Sequence, residues 1–421
     1  MAYCILHAMV ARFIFCLRLM PQKGRWLPMQ NDFSADVVIV GGGGVGSAIA
    51  YFLSVLSGGA ARVIVCEKDP TYERASTVLA AGGIRLQFST PENVLMSQFG
   101  LEFLASAAEV LAVDGDAVDL GYHSRPYLRL VGAEGAEVAR EQVRMQRELG
   151  ATPTLLAGQE LSQRYPWMHT EDVELAVLGG DYEGAFDPST LLHAFRRKSI
   201  ALGVRFIAGE VVGFDRVAGG AITAVRLANG EAISCARVVN AAGPRAGRVA
   251  ALAGLSVPVE PIKAQTFSFR SPFSPPDCPT VLDHVGALNF KPEGDLFLAA
   301  CPRDPELRDD DDFDLDSTLF MDHVWPALAH RVPQFDTLRQ DRGWVGHIEW
   351  NTFDANAILG PHPECENFVL ANGLSGHGVQ HLPAVGRAIA ELLVHGAYQS
   401  IDLSRFSYSR IDAGAPIREL V

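Results

Sequence analysis

From Ala35 onward the chain couples short β-branched runs to glycine-rich turns and then to stretches with helical spacing. Ala35-Asp36-Val37-Val38-Ile39-Val40 is the first run, and near-continuous apolar character of that length suits a strand buried on both faces. Gly41-Gly42-Gly43-Gly44-Val45-Gly46 follows, then a helix over Ser47 to Leu56, and then a second run, Arg62-Val63-Ile64-Val65-Cys66, ending at Glu67. Strand, turn, helix and strand in that order predict a parallel α/β sheet. Further strands are expected at Val204–Ile207, Glu210–Phe214 and Ala236–Asn240, and at Phe368–Ala371 near the end. The last runs through Asn372-Gly373-Leu374-Ser375-Gly376-His377-Gly378-Val379-Gln380 into a helix from about Pro383 to His395, with the proline in its first turn. Arg140 to Arg147 carries mixed charges at helical spacing, as on an exposed helix face.

Residues 1–30 stand apart. The stretch is oily but interrupted by His7, Arg12 and Arg18, with no small-residue cleavage site, so a secretory signal fits badly; it reads as a non-core extension preceding a start at Met20 or Met29, with a transit peptide or an interfacial helix as the alternatives.

Composition narrows the class. A chain of 421 residues, 48% hydrophobic and 20% charged, holds two or three domains and a substantial core. Thirty-five basic residues against 49 acidic ones leave a net charge of −14, which disfavours nucleic acid and anionic membrane surfaces as partners. Seven scattered cysteines without a CxxC pair argue against a disulfide framework or zinc site and for a reducing compartment, with a cytoplasmic location expected. No run of 18 clean apolar residues predicts a membrane span. The Asp309–Asp312 run with Asp314 and Asp316 lacks the spacing, glycine and terminal glutamate of a calcium loop, so no metal site is expected.

The glycines carry the chemistry. Gly41, Gly43 and Gly46 satisfy GxGxxG between a strand and a helix. Gly41 permits the tight turn, Gly43 lets main chain approach a pyrophosphate at a helix N-terminus, and Gly46 lets helix and strand pack closely. Glu67 lies 21 residues beyond Gly46, the spacing of a ribose-binding acid, and an acid there argues against NADP. NAD and FAD remain. The second glycine-rich strand-to-helix junction, at 372–380, suggests one long cofactor gripped at both ends, which favours FAD.

GGGGVG with Glu67, NAAGPRAG and GLSGHGVQHLPAVGR together resemble the D-amino-acid oxidase/sarcosine oxidase (DAO) family of FAD-dependent oxidoreductases, over roughly residues 35–410. The stretches AAGGIRLQFSTPEN, FDPSTLLHAFRRK, VWPALAHRVPQF and WNTFDANAILGPHP resemble a narrower mitochondrial subgroup linked to assembly of a respiratory complex. The resemblance implies a two-domain glutathione-reductase-like fold: a Rossmann-type FAD-binding domain over 31–110, 185–260 and 345–421, and a mixed-sheet substrate domain over 111–184 and 261–344. It also implies site residues. Gly41, Gly43 and Gly46 would hold the pyrophosphate and Glu67 the adenosine ribose, with Ala75 and Ser76 along the cofactor. Val211, Ala242 and Gly243 would lie by the adenine region, Gly82, Gly83 and Ile84 beside the isoalloxazine, and Gly376, His377, Gly378, Val379 and Gln380 at the N1–C2=O edge of the flavin.

The resemblance makes Arg85 the main catalytic candidate, binding a substrate carboxylate or countering reduced flavin, with His377 and Gln380 as further candidates. Tyr127 and Trp344 are candidate pocket aromatics. Two departures shape the expectation. His347 stands where a monomeric sarcosine oxidase carries its flavin-linked cysteine, and no counterpart of the flavin-linked histidine of dimethylglycine dehydrogenases occurs near Ser76–Gly82, so FAD is expected to be noncovalent. Gln380 replaces a carboxylate-binding lysine, and Phe297 falls where the oxygen-activating lysine sits, favouring a dehydrogenase with another electron acceptor over an oxidase. The expected reaction oxidises the C–N bond of a small secondary or tertiary amino acid, of sarcosine, dimethylglycine, proline or opine type. The alternatives are a flavoprotein assembly factor with a protein partner and little turnover, and an NAD-dependent dehydrogenase.

Overall fold

A computed structural model describes residues 33–217, 220–301, 309 and 311–419, so the expectation for residues 1–30 lies outside the described residues. Two eight-stranded sheets organise the chain. In the first, Ser34–Val40 lies between Val63–Glu67 and Ala232–Asn240, parallel to both, and Arg205–Ala208 and Cys365–Asn372 extend the parallel array on either side. All seven residues of Ser34–Val40 are buried, as its unbroken run requires.

One face of this sheet is covered by the helices Gly44–Leu56, Pro91–Val110, Pro188–Ala201 and Gly378–His395. Tyr51, Phe52, Phe103 and Phe195 fill the space between them, Phe103 stacking on Phe195 at 5.1 Å. The first and last of these helices touch at Gly386, where a side chain would meet Ala48 at 2.8 Å. The last helix corrects the expectation for its start. It begins at Gly378, so Pro383 is interior rather than in the first turn. The lost N–H leaves only the Val379 carbonyl without its helical partner, and the buried apolar face of the helix outweighs it.

The second sheet runs Arg339–Asn351, Val259–Arg270, Leu296–Ala300, Leu288–Glu293, Thr280–Asp283, Tyr127–Val131, Leu175–Leu178 and Thr154–Leu156. It is antiparallel except where Thr280–Asp283 meets Tyr127–Val131. One face is a phenylalanine core in which Phe269 and Phe297 stack at 5.2 Å and Phe335 meets both. The other face lines a cavity with Thr266, Thr280, Lys291, Leu282 and Leu298, and packs Val131, Leu175 and Val177 against the Ala136–Glu148 helix. Phe297 therefore corrects a second expectation: alternation sends it into the core and puts Leu298 on the inward wall.

Arg331, fully buried, holds the end of Thr280–Asp283 by an ion pair to Asp283 at 2.7 Å and reaches Asp172 at 2.8 Å. Trp344 links the layers, its Nε1 donating to the Leu79 carbonyl at 2.9 Å. Among the described residues no helix is long and apolar enough to cross a membrane.

Candidate active site

A cavity of about 760 Å³ opens in front of the Gly44–Leu56 helix. Glycines form the turn at its base. Gly41 takes φ +98°, and a side chain there would sit 2.4 Å from the Ala241 oxygen. At Gly46 it would sit 1.9 Å from the Gly41 oxygen. Gly43 differs, because a Cβ there meets nothing within 4 Å: its open face is the space an anion needs at a helix N-terminus. Glu67 accepts hydrogen bonds from the N–H groups of Gly42 at 2.7 Å and Asp69 at 2.8 Å, fixing its carboxylate on the cavity wall. Ala75, Ser76, Val211, Ala242 and Gly243 line the same cavity, whereas Gly46 serves packing.

At the far end stand His347 and Glu349, two apart on one face of Arg339–Asn351. The His347 ring meets Phe313 edge-on at 4.6 Å, and its carbonyl accepts from Ser76 Oγ at 2.6 Å. Glu349 accepts from Gly373 N–H at 3.1 Å, and its carbonyl accepts from Ser375 N–H at 3.0 Å, so it holds the loop before the last helix. Burial pushes the Glu349 carboxyl up to about 8, leaving it mostly a neutral acid at pH 7.

A second cavity of about 280 Å³ lies between the 80–85 loop and the inward face of the second sheet, against the start of the last helix. Gly82, Gly83, Arg85, Tyr127, Gly376, His377, Val379 and Gln380 line it. Ile84 and Gly378 do not. Ile84 is buried with its N–H bonded to the Gly184 oxygen at 2.9 Å, and Gly378 opens the helix behind the wall. The Arg85 guanidinium lies over the Phe88 ring at 4.3 Å and donates to the Gln87 carbonyl. Burial lowers its pKa. Gln380 Oε1 accepts from the Arg85 main-chain N–H at 2.9 Å, so this side chain positions Arg85 directly. His377 packs edge-on against Phe88 at 5.1 Å. Glu183 ties the same segment together, accepting from Leu86 and Tyr127 N–H groups, and burial raises it to about 7.

Sequence reasoning missed Glu349, Lys291, Thr280 and His284. Lys291 Nζ donates to the carbonyls of Ala81 and Gly82 and pairs with Glu293 at 2.7 Å. Its signal was present in the alternation Leu288-Asn289-Phe290-Lys291, which sends Phe290 to the core and Lys291 inward. Trp344 lines neither cavity. Away from both, His169, Asp172 and His330 gather ligand atoms within 4.8 Å, but Asp172 is engaged by Arg331 and held near 2 in pKa, and no metal is assigned there.

A parallel sheet carrying the glycine turn and Glu67, a mixed sheet beside it, and a cavity at each are the features of a two-domain FAD-binding fold. The model of the family described as FAD dependent oxidoreductase matches residues 36–392. The chain is 42% identical over 420 residues to "FAD-dependent oxidoreductase domain-containing protein 1" of Xenopus laevis, an alignment spanning 91% of this chain and 84% of that protein. Its fold is similar to the crystal structures of L-proline dehydrogenase from P. horikoshii (TM-score 0.80, 24% identity, 90% of this chain and 98% of that one) and glycine oxidase from Geobacillus kaustophilus (TM-score 0.76, 24% identity, 90% and 99%). The chain belongs to the DAO family of FAD-dependent oxidoreductases.

Proposed function

We propose that the protein oxidises the C–N bond of a small secondary or tertiary amino acid. The observation that carries this reading is the second cavity, which places a buried Arg85 beside the Gly82–Gly83 loop. When bound, FAD supplies the hydride acceptor for the carbon next to nitrogen.

The chain supplies binding, orientation and charge. Gly43, Glu67 and the Gly44–Leu56 N-terminus would hold the dinucleotide, and the positive end of the last helix would stabilise negative charge on a reduced flavin. Arg85, its main chain held by Gln380, binds the substrate carboxylate, while His377 lines the wall and Phe88 packs against both outside the cavity. Positive charge also disfavours the ammonium form of the amine, which must be neutral to react. FAD is noncovalent, and His347, on the cleft, is the residue at which a flavin adduct would contradict this.

Electrons pass to an acceptor other than dioxygen. Two features support this: Leu298 is the inward residue of its strand, and the Lys291 ammonium is committed to two carbonyls and Glu293. The test is product analysis with an artificial electron acceptor and N-methylated and cyclic amino acids. Dealkylated amine or cyclic imine supports the reading. Retained flavin with no product across the panel favours the assembly-factor reading and a protein partner.

A further inference from the structure

The acidic run that lacks the features of a calcium loop lies at the cofactor cleft. Asp311 and Phe313 line the large cavity together with Arg74, Arg245 and His347. Asp311 Oδ1 accepts from Arg245 Nη2 at 2.8 Å, and Arg248 stands 3.9 Å from its other carboxylate oxygen. Both arginines lie just after the Ala232–Asn240 strand of the first sheet. The Phe313 ring meets His347 edge-on at 4.6 Å, and the Arg74 guanidinium lies over it at 4.8 Å. Arg74 belongs to the loop after Val63–Glu67, another strand of the first sheet.

The rest of the segment is fixed to the second sheet. Asp312 pairs at 2.7 Å with Lys263, which is 8% exposed on the Val259–Arg270 strand. The Asp316 N–H donates to Gln265 Oε1 on the same strand at 2.7 Å, and Leu315 packs on the phenylalanine core. Residues 311–316 therefore span the cleft with unequal grips. A buried lysine and an apolar anchor hold the second-sheet side. The first-sheet side depends on Asp311, which is 67% exposed, and on a half-buried ring. An exposed ion pair contributes little and weakens with salt. Aspartates this closely spaced also repel one another, so each released contact favours opening.

We propose that residues 311–316 form a strap that gates exchange of the cofactor. It pivots on its second-sheet anchors, and release of Asp311 and Phe313 opens the cleft. The contacts that close it join protein to protein, so it closes over an empty and a loaded cleft alike. Such a strap sets the rates of entry and exit rather than the affinity. The inference needs the FAD assignment and not the amine-oxidation reading.

The test measures FAD exchange on the full chain. Association is followed by quenching of FAD fluorescence after rapid mixing, and dissociation by its recovery on dilution of the loaded protein. Asp311→Asn and Phe313→Ala are compared with wild type and with Asp314→Asn. Asp314 carries the same charge in the same segment and makes no ion pair among the described residues. In Asp311→Asn and Phe313→Ala both rate constants are expected to rise roughly fivefold, with the dissociation constant held within about twofold. Asp314→Asn is expected to match wild type. Raising NaCl to about 0.5 M should speed dissociation more in wild type than in Asp311→Asn, which has already lost the screened pair. Asp311 is a surface residue, so Asp311→Asn keeps the inference testable if Phe313→Ala fails to fold. Unchanged rates in Asp311→Asn, or in a folded Phe313→Ala, overturn the gate. Faster dissociation without faster association also overturns it, because Asp311 and Phe313 would then be contacts of the cofactor itself. An equal effect of Asp314→Asn overturns it too, by reducing the effect to net charge.

Discussion

The two cavities are built from different materials. In the larger, main chain shapes the glycine turn: Gly41 has no room for a side chain, Gly43 leaves its face open, and main-chain N–H groups of Gly42 and Asp69 fix the Glu67 carboxylate. The smaller is made by side chains delivered from the 80–85 loop, the last helix and several strands of the second sheet. A turn made by backbone tolerates almost no substitution, so its residue types and spacing are narrow. A cavity made by side chains depends on which way each strand faces, and its residues are individually ordinary.

That contrast predicts a graded response to mutation. The largest effects belong to the dinucleotide cleft, and they split in two. Gly46→Val puts a side chain onto the Gly41 oxygen and is expected to give insoluble protein on expression. At Gly43 a Cβ meets nothing within 4 Å, so Gly43→Val is expected to leave the chain folded while filling the anion's space. FAD binding should weaken by at least about 100-fold, or ~3 kcal/mol, measured by fluorescence quenching of added FAD. Normal flavin content in Gly43→Val would break the comparison.

Arg85→Met comes next. Flavin content is expected to hold, while the amino acid concentration for half-maximal flavin reduction rises roughly 30-fold, the loss of about 2 kcal/mol of charge-assisted bonding. An unchanged value would remove Arg85 from substrate binding. Glu349 gives a smaller effect with a definite sign. Its folded pKa, near 8, is above the ordinary carboxylate range, so the folded state holds a proton that the unfolded state has lost. Stability therefore falls as pH rises from the ordinary range to about 8, and Glu349→Gln should flatten that fall in a series of melting temperatures, leaving the contribution of Glu183. The smallest effect is Trp344→Phe, which removes the bond to the Leu79 carbonyl, for about 1 kcal/mol in denaturant titration.

The legible part of the molecule follows the same line. The strands at 34–40 and 63–67 and the glycine turn after the first could be read because burial on both faces forces apolar runs and the tight turn forces glycine; of 232–240 only the stretch from 236 was legible, because its first half alternates between buried and exposed positions. Pro383 misled by its usual preference for a first turn, a local rule overridden by a long buried helix face. The second sheet was harder. Phe297 and Leu298 differ only in which face alternation gives them, and a single-residue shift in register exchanges their roles. Lys291 and Thr280 reach the cavity from strands over 180 residues beyond Gly83, and no local pattern joins them. Glu349 is placed two residues from His347, yet only its burial and its hold on Gly373 make it unusual.

The most direct test of the central claim is anaerobic rapid mixing of the FAD-loaded protein with N-substituted amino acids, following absorbance near about 450 nm, where oxidised flavin absorbs and the reduced form does not. The account predicts that at least one such compound bleaches the band, that Arg85→Met raises the concentration required, and that the colour returns faster with an artificial acceptor than with air. A band that dithionite bleaches but no compound in the panel does would contradict it.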